Sequence, residues 1–291
     1  MLKTAAKVNL TLEVLGRRAD GYHEIATVMQ AVDLSDRITL DEAHDLTLWS
    51  SHRDVPTDSR NLALRAAEAL RQAAGIEAGA RIRLDKHIPV AAGLGGGSSD
   101  AAAVLLGLNR LWRLRWPVER LEAIAATLGS DVPFFLHGGA ALATGRGEKV
   151  APLRGRGLAL VLVNPKRPAS TAEMYARVTA AMYTDGGATR ALVGNLRRSP
   201  ARIAASLYNG LEAAAAGVFP QIAQMRAALL AAGALGTLMS GSGPTVFGVA
   251  RSYEQARQIR ARVARGSWEC WAVRTLTGPA VRLAENGARR G

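Results

Sequence analysis

The sequence predicts an α+β chain in two halves. Three observations point there: an alternating apolar and polar run at 7–14, apolar residues at helical spacing in 61–74 and 99–112, and a fresh apolar strand at 158–163 that starts a second series of helices and strands. The chain has 291 residues, 48% of them hydrophobic, enough for one large domain or two modest ones. The division falls at 1–152 and 153–291.

In residues 7–14, Val8, Leu10, Leu12 and Val14 alternate with Lys7, Asn9, Thr11 and Glu13, the period of a half-buried strand. Lys7 and Asn9 therefore share the polar face. Asp20-Gly21 marks a turn, followed by extended runs at His23–Val32 and near Arg37–Leu40. Leu62, Ala66, Ala69 and Leu70 define a helix over Asn61–Ala74, which Gly75 ends. Arg81–Leu84 alternates as a strand, a glycine-rich loop follows, and Ser99–Trp112 reads as a helix. Pro117 opens another helix to Leu128, taking the favoured first-turn position. Ala140–Pro152, rich in small residues, reads as the crossing into the second half. There, strands are expected at Leu158–Val163, Thr245–Ala250 and Trp268–Arg274, with helices at 170–182, 201–216, 221–232 and Tyr253–Ala264.

Composition excludes several classes. A single cysteine, Cys270, rules out a disulfide framework and multi-cysteine metal sites and points to a reducing, cytoplasmic setting. The N-terminal residues lack the apolar core of a signal peptide. Ala227–Ala250 carries no charge, yet five glycines and Pro244 argue against a spanning helix, so a soluble protein without a membrane partner is expected. The net charge of +13 attracts polyanions in general: nucleic acid, acidic lipid or phosphorylated metabolites. The cations are mostly arginines scattered along the chain without interleaved aromatics, which argues against a nucleic-acid surface. The five lysines are scarce by comparison, so their positions carry information.

The most informative segment is Ile88-Pro89-Val90-Ala91-Ala92-Gly93-Leu94-Gly95-Gly96-Gly97-Ser98-Ser99-Asp100. Its glycines allow backbone close to a ligand, and the following helix start offers free N–H groups and a positive dipole end. That is an anion site suited to a polyphosphate. No lysine follows the glycines as a P-loop requires, and the dinucleotide spacing of glycines also fails.

This loop resembles the phosphate loop of the GHMP kinases (galacto-, homoserine, mevalonate and phosphomevalonate kinases). Ala5-Ala6-Lys7-Val8-Asn9-Leu10, Gly16–Glu24, Leu128–Phe135 and Met239–Gly248 resemble further motifs of that family in the same order. Gly21-Tyr22-His23 and Leu128–Phe135 resemble one branch, whose acceptor is a cytidine-diphosphate-linked methylerythritol of isoprenoid precursor biosynthesis. Ala5 stands where a proline is usual and Ala91 where a glycine is common.

The resemblance implies ATP-dependent phosphorylation of a hydroxyl, Mg²⁺ accompanying ATP, and a cleft between two domains. The N-terminal domain would be ribosomal-protein-S5-like and the C-terminal one ferredoxin-like. It assigns catalysis to Lys7 and Asp131: the aspartate to orient the acceptor hydroxyl and take its proton, the lysine to act electrostatically beside it. Residues Pro89 to Ser99 would hold ATP, with Asn61 toward the adenine. Tyr22 and His23 would hold the cytosine, joined by Asn9, Thr171 and Tyr175 on the substrate side. Ser240–Gly243 would steady the phosphate loop. No metal ligand is assigned beyond Ser99, which the wider family suggests for Mg²⁺. The partner is a small molecule, and the chain is a monomer or homodimer. Two alternatives stay open: another family member acting on homoserine, mevalonate or a sugar, and a basic RNA-binding module without turnover.

Overall fold

The computed structural model describes residues 1–264 and 267–284. The chain opens with two long strands, β1 (Leu2–Arg17) and β2 (His23–Ala43), which pair antiparallel over most of their length. β3 (Leu46–Ser50), α1 (Leu62–Ala74) and β4 (Gly79–Asp85) follow. Asn61 caps α1 by accepting from the Ala63 N–H, and Gly75 closes the helix in the left-handed conformation at φ 64°. Next come α2 (Gly96–Leu111), α3 (Val118–Leu128), α4 (Val132–His137), β5 (Ala140–Gly145) and β6 (Lys149–Leu153).

The second half runs β7 (Ala159–Asn164), α5 (Thr171–Ala176), a 3₁₀ turn at Ala180–Met182, α6 (Gly187–Asn195), α7 (Pro200–Ala204), β8 (Tyr208–Asn209) and α8 (Glu212–Ala216). It ends with α9 (Gln221–Ala231), β9 (Gly236–Met239), β10 (Val246–Ala250), α10 (Tyr253–Val263), β11 (Glu269–Arg274) and β12 (Val281–Leu283).

Two sheets organise these elements. The larger has the order β12-β1-β2-β4-β3, with the β5–β6 hairpin and β8 attached at its side. The smaller is antiparallel in the order β11-β7-β10-β9. Numbered along the second half, those strands lie 4-1-3-2, the ferredoxin-like arrangement. The chain leaves the larger sheet after Leu153 and returns to it at β8 and β12, both of which pair with β1. An apolar cluster joins the sheets, with Ala6, Val8 and Leu10 of β1 packed among Leu160, Leu162 and Phe247.

That interface changes the reading of β1. Alternation predicts one face toward water, yet Lys7, Asn9 and Thr11 are only 4%, 3% and 0% exposed. The polar face turns into an enclosed hydrogen-bonded region. The two extended runs expected after His23 are one strand, β2. Ala140–Pro152 does not cross between halves; it is the β5–β6 hairpin, and β5 pairs with β2. The helix expected at 170–182 breaks into α5 and the 3₁₀ turn. The one expected at 201–216 is interrupted by β8, where the Asn209 amide donates to the Met239 and Gly241 carbonyls, both at 2.8 Å. The uncharged stretch Ala227–Ala250 divides among α9, β9 and β10. No helix among the described residues is long and apolar enough to cross a membrane.

Candidate active site

A cleft of about 1240 Å³ opens beside the glycine-rich loop, between the larger sheet and the α5 region. Lys7 stands at its centre because β1 projects that side chain away from the shared apolar cluster. Its ammonium donates to Asn9 Oδ1 at 2.6 Å and to the Gly93 carbonyl at 3.1 Å, and lies 3.4 Å from Asp131 Oδ2. Asn9 is held in turn, its amide donating to Thr27 Oγ1 at 2.8 Å. Asp131 immediately precedes α4 and is about a third exposed to the cleft.

The loop is pinned from both sides. The Lys7 N–H donates to the Leu94 carbonyl at 3.0 Å, and Ser240 Oγ donates to the Gly93 carbonyl at 2.9 Å. Gly93 has φ 76°, and a Cβ there would come within 2.2 Å of the Ser240 carbonyl oxygen. Only glycine permits that approach. Gly95, at φ 70°, is the N-cap of α2, so the helix starts at Gly96 rather than at Ser99. Its first turn offers backbone N–H groups to the cleft, an anion site by geometry.

The earlier start changes the role of Ser99. Its hydroxyl donates to the Ala5 carbonyl at 2.6 Å and touches Thr4 Oγ1, so it is a buried tie to β1. It does not line the cleft as a phosphate or Mg²⁺ ligand would. Leu94 likewise points into the core, with 0% exposure. Pro89, Val90, Ala91, Ala92, Gly93, Gly95, Gly96, Gly97 and Ser98 do line the cleft, and so does Asn61. The Asn61 side chain is already engaged at Ala63 N–H and at the Pro56 carbonyl, which fixes the rim of this end.

Under the loop lies a charge cluster that sequence reasoning missed. Lys86 Nζ donates to Asp36 Oδ2 at 2.5 Å and to Asp100 Oδ2 at 2.8 Å, all three side chains being almost fully buried. Asp36 also accepts from the His87 and Ile88 N–H groups. Burial raises the Asp100 carboxyl to about 8; the Lys86 charge opposes this and the Asp36 charge adds to it. Lys86 is one of only five lysines and falls three residues before Pro89, so the scarcity that singles out Lys7 could also have found it.

At the opposite end the walls are aromatic. The His23 and Tyr175 rings stack at 5.4 Å with 28° between planes, and Tyr183 meets His23 edge-on at 6.4 Å. Tyr22 is 55% exposed beside them. Burial, then the Arg17 charge, lowers the His23 imidazole, favouring its neutral form. Burial and then the Asp131 charge raise the Tyr175 phenol, which stays protonated. Thr171 Oγ1 lies 2.9 Å from Ser242 Oγ, joining α5 to the second small-residue turn. Lys7 and Asp131 thus stand between the glycine-rich loop and the aromatic walls. Tyr183 and Arg146, also in the lining, lie in no motif that the sequence offered.

A glycine-rich anion cradle that ends at a lysine–aspartate pair, in a cleft beside a ferredoxin-like domain, is the architecture of a small-molecule kinase. The GHMP kinases N terminal domain matches residues 61–139, and the GHMP kinases C terminal domain matches 190–269. The chain belongs to the GHMP kinase family. It is 47% identical over 275 residues to the 4-diphosphocytidyl-2-C-methyl-D-erythritol kinase of Pelotomaculum thermopropionicum, covering 93% of this chain and 96% of that one. The kinase of the same name from Geobacter sulfurreducens is 44% identical over 278 residues, covering 94% and 98%. A crystal structure of 4-(cytidine 5'-diphospho)-2C-methyl-D-erythritol kinase superposes with a TM-score of 0.80 at 38% identity, covering 94% of this chain and 99% of that one. A homoserine kinase from Cytophaga hutchinsonii shares the fold at a TM-score of 0.78 and 21% identity, covering 97% and 96%.

Proposed function

We propose that this chain transfers the γ-phosphoryl group of ATP to the 2-hydroxyl of 4-diphosphocytidyl-2-C-methyl-D-erythritol, a cytoplasmic step of the methylerythritol phosphate route to isoprenoid precursors. The observation that carries the reading is the Lys7–Asp131 contact, made where the glycine-rich loop meets the aromatic end of one cleft. The relatives' names supply the acceptor. The His23 imidazole and the rings of Tyr22 and Tyr175 support it, because a pyrimidine needs a flat stacking surface and hydrogen-bonding groups at its edge.

In this mechanism the triphosphate lies along Pro89–Ser98, with its charge on the first N–H groups of α2. Asp131 accepts a hydrogen bond from the acceptor hydroxyl, aims its oxygen at the γ-phosphorus and takes the proton as the new P–O bond forms. The bond to the bridging oxygen breaks, and ADP leaves with its electron pair. Lys7, fixed by Asn9 and the Gly93 carbonyl, presents its charge to the transferring group.

Mg²⁺ accompanies ATP in this proposal. The described residues contain no His, Cys, Asp and Glu cluster able to cage an ion, and the Ser99 hydroxyl is committed to Ala5. Among the described residues no dedicated metal cage is formed, and the ion's ligands would be phosphate oxygens and water.

Phosphorus NMR of the purified protein with Mg-ATP and the cytidylyl substrate is the test. A new phosphomonoester resonance appearing with ADP is expected. ADP formation with homoserine, mevalonate or a sugar, and none with the cytidylyl substrate, would move the chain to another branch.

A further inference from the structure

Five cationic side chains line the cleft: Lys7, Arg17, Arg60, Lys86 and Arg146. Three are already answered by carboxylates held close. Lys7 faces Asp131, Lys86 sits between Asp36 and Asp100, and Arg60 makes a forked contact with Asp58. Arg17 ends β1 opposite His23, at the aromatic end. Arg146 differs from all of these in its place.

Arg146 is carried by the turn between β5 and β6. The next residue, Gly147, is seated against Ser130: a Cβ there would stand 3.5 Å from Ser130 Cβ. Ser130 immediately precedes Asp131, so the turn is anchored at the catalytic end. The guanidinium reaches the other way, its central carbon 4.8 Å from the Tyr22 ring centroid. One carboxylate neighbour, Glu148, stands 4.0 Å from Nε and accepts from the Arg146 backbone N–H at 2.6 Å, and the exposed Asp20 carboxylate also feels the Arg146 charge. The guanidinium therefore rests on an aromatic platform at the base end, with donors still available, on a turn anchored beside Asp131.

We propose that Arg146 binds the diphosphate bridge of the acceptor. This rests on the cytidylyl reading above, and goes beyond it by naming the group that recognises the phosphates. If the base lies at Tyr22 and His23 and the reacting hydroxyl at Asp131, the two phosphates must cross the space that Arg146 faces. A planar fork suits phosphate oxygens, and the Tyr22 ring beneath it reduces the freedom lost on binding. Arg146 is a specificity residue on this account: it favours a nucleoside-diphosphate-linked acceptor over an uncharged polyol.

The test compares wild type with Arg146→Met and Arg146→Lys. Affinities for CDP and for cytidine are measured by NMR titration, alongside KM for both substrates. Arg146→Met should weaken CDP binding and raise the acceptor KM by about tenfold or more, leaving cytidine affinity and the KM for ATP unchanged. Arg146→Lys should recover part of the loss. Unchanged CDP affinity in Arg146→Met overturns the proposal, as does an equal loss for CDP and cytidine, which would reduce Arg146 to a support for Tyr22. Failure of the cytidylyl reading looks different: wild type itself then binds neither ligand and does not phosphorylate the cytidylyl substrate.

Discussion

The Lys7 ammonium lies 3.4 Å from Asp131 Oδ2 while its own hydrogen bonds go to Asn9 and the Gly93 carbonyl. One cation thereby connects the phosphate loop to the carboxylate that faces the acceptor. The charges are partly exposed on the aspartate side, so the pair is not a strong stabilising ion pair and its value is positional. Asp131→Asn removes the proton acceptor and leaves the loop contacts in place. Turnover should fall by roughly 10²–10⁴-fold with the ATP affinity retained. Steady-state kinetics with nucleotide titration checks both halves; near-wild-type turnover would remove Asp131 from the reaction.

Gly93 and Gly97 belong to one glycine-rich run but face different constraints. A methyl at Gly93 would strike the Ser240 carbonyl in a left-handed conformation, whereas one at Gly97 would make an ordinary 3.7 Å contact with Leu62. Gly93→Ala should therefore destabilise the fold by about 2 kcal/mol or more through strain and a displaced turn. Gly97→Ala should leave stability within about 1 kcal/mol of wild type, since alanine suits a helix better. Paired thermal melts decide; equal losses would show that the turns do not pack as described.

Much of the architecture was legible because it depends on local pattern. Alternation marked β1, helical spacing marked α1, and the glycine–serine run marked the anion site. Burial of the polar face of β1 was not legible, because it requires the second half of the chain to fold over Lys7 and Asn9. The start of α2 was misplaced because glycine is a poor helix former, and the left-handed cap at Gly95 overrides that preference. Lys86 with Asp36 and Asp100 joins residues 50 and 14 positions apart, and no spacing rule brings them together. Arg146 was hidden in a stretch read as a connection, whereas pairing of β5 with β2 brings its turn to the cleft.

Ala91 has φ 50°, a left-handed conformation that costs an alanine roughly 1–2 kcal/mol. Its carbonyl accepts from the Ala169 N–H at 2.9 Å, which holds the loop entrance to the α5 side of the cleft. Ala91→Gly removes the steric penalty and adds unfolded-state entropy, effects of opposite sign. The steric gain is the larger, so the variant should be more stable by about 0.5 kcal/mol. Denaturant unfolding at constant m-value measures it, and a loss of stability would contradict the backbone assignment at this position.

Asp100 provides a test of the buried cluster through pH. Two carboxylates share one ammonium, and Asp100 Oδ1 has no hydrogen-bond partner. Burial raises the Asp100 carboxyl from 3.8 to about 8, with Lys86 opposing and Asp36 reinforcing the change. The folded protein thus keeps a proton that the unfolded chain releases above about pH 4. This contribution to stability is complete below the unfolded value, shrinks as pH rises, and is gone once pH passes the folded value near 8. Asparagine keeps the shape and an oxygen for Lys86 but binds no proton. Asp100→Asn should therefore lose less stability than wild type between pH 5 and pH 8, and its advantage should grow with pH across that interval. Thermal melts of both proteins at several pH values within it are sufficient. Parallel curves would mean that Asp100 is ionised in the fold and that Lys86 satisfies both carboxylates.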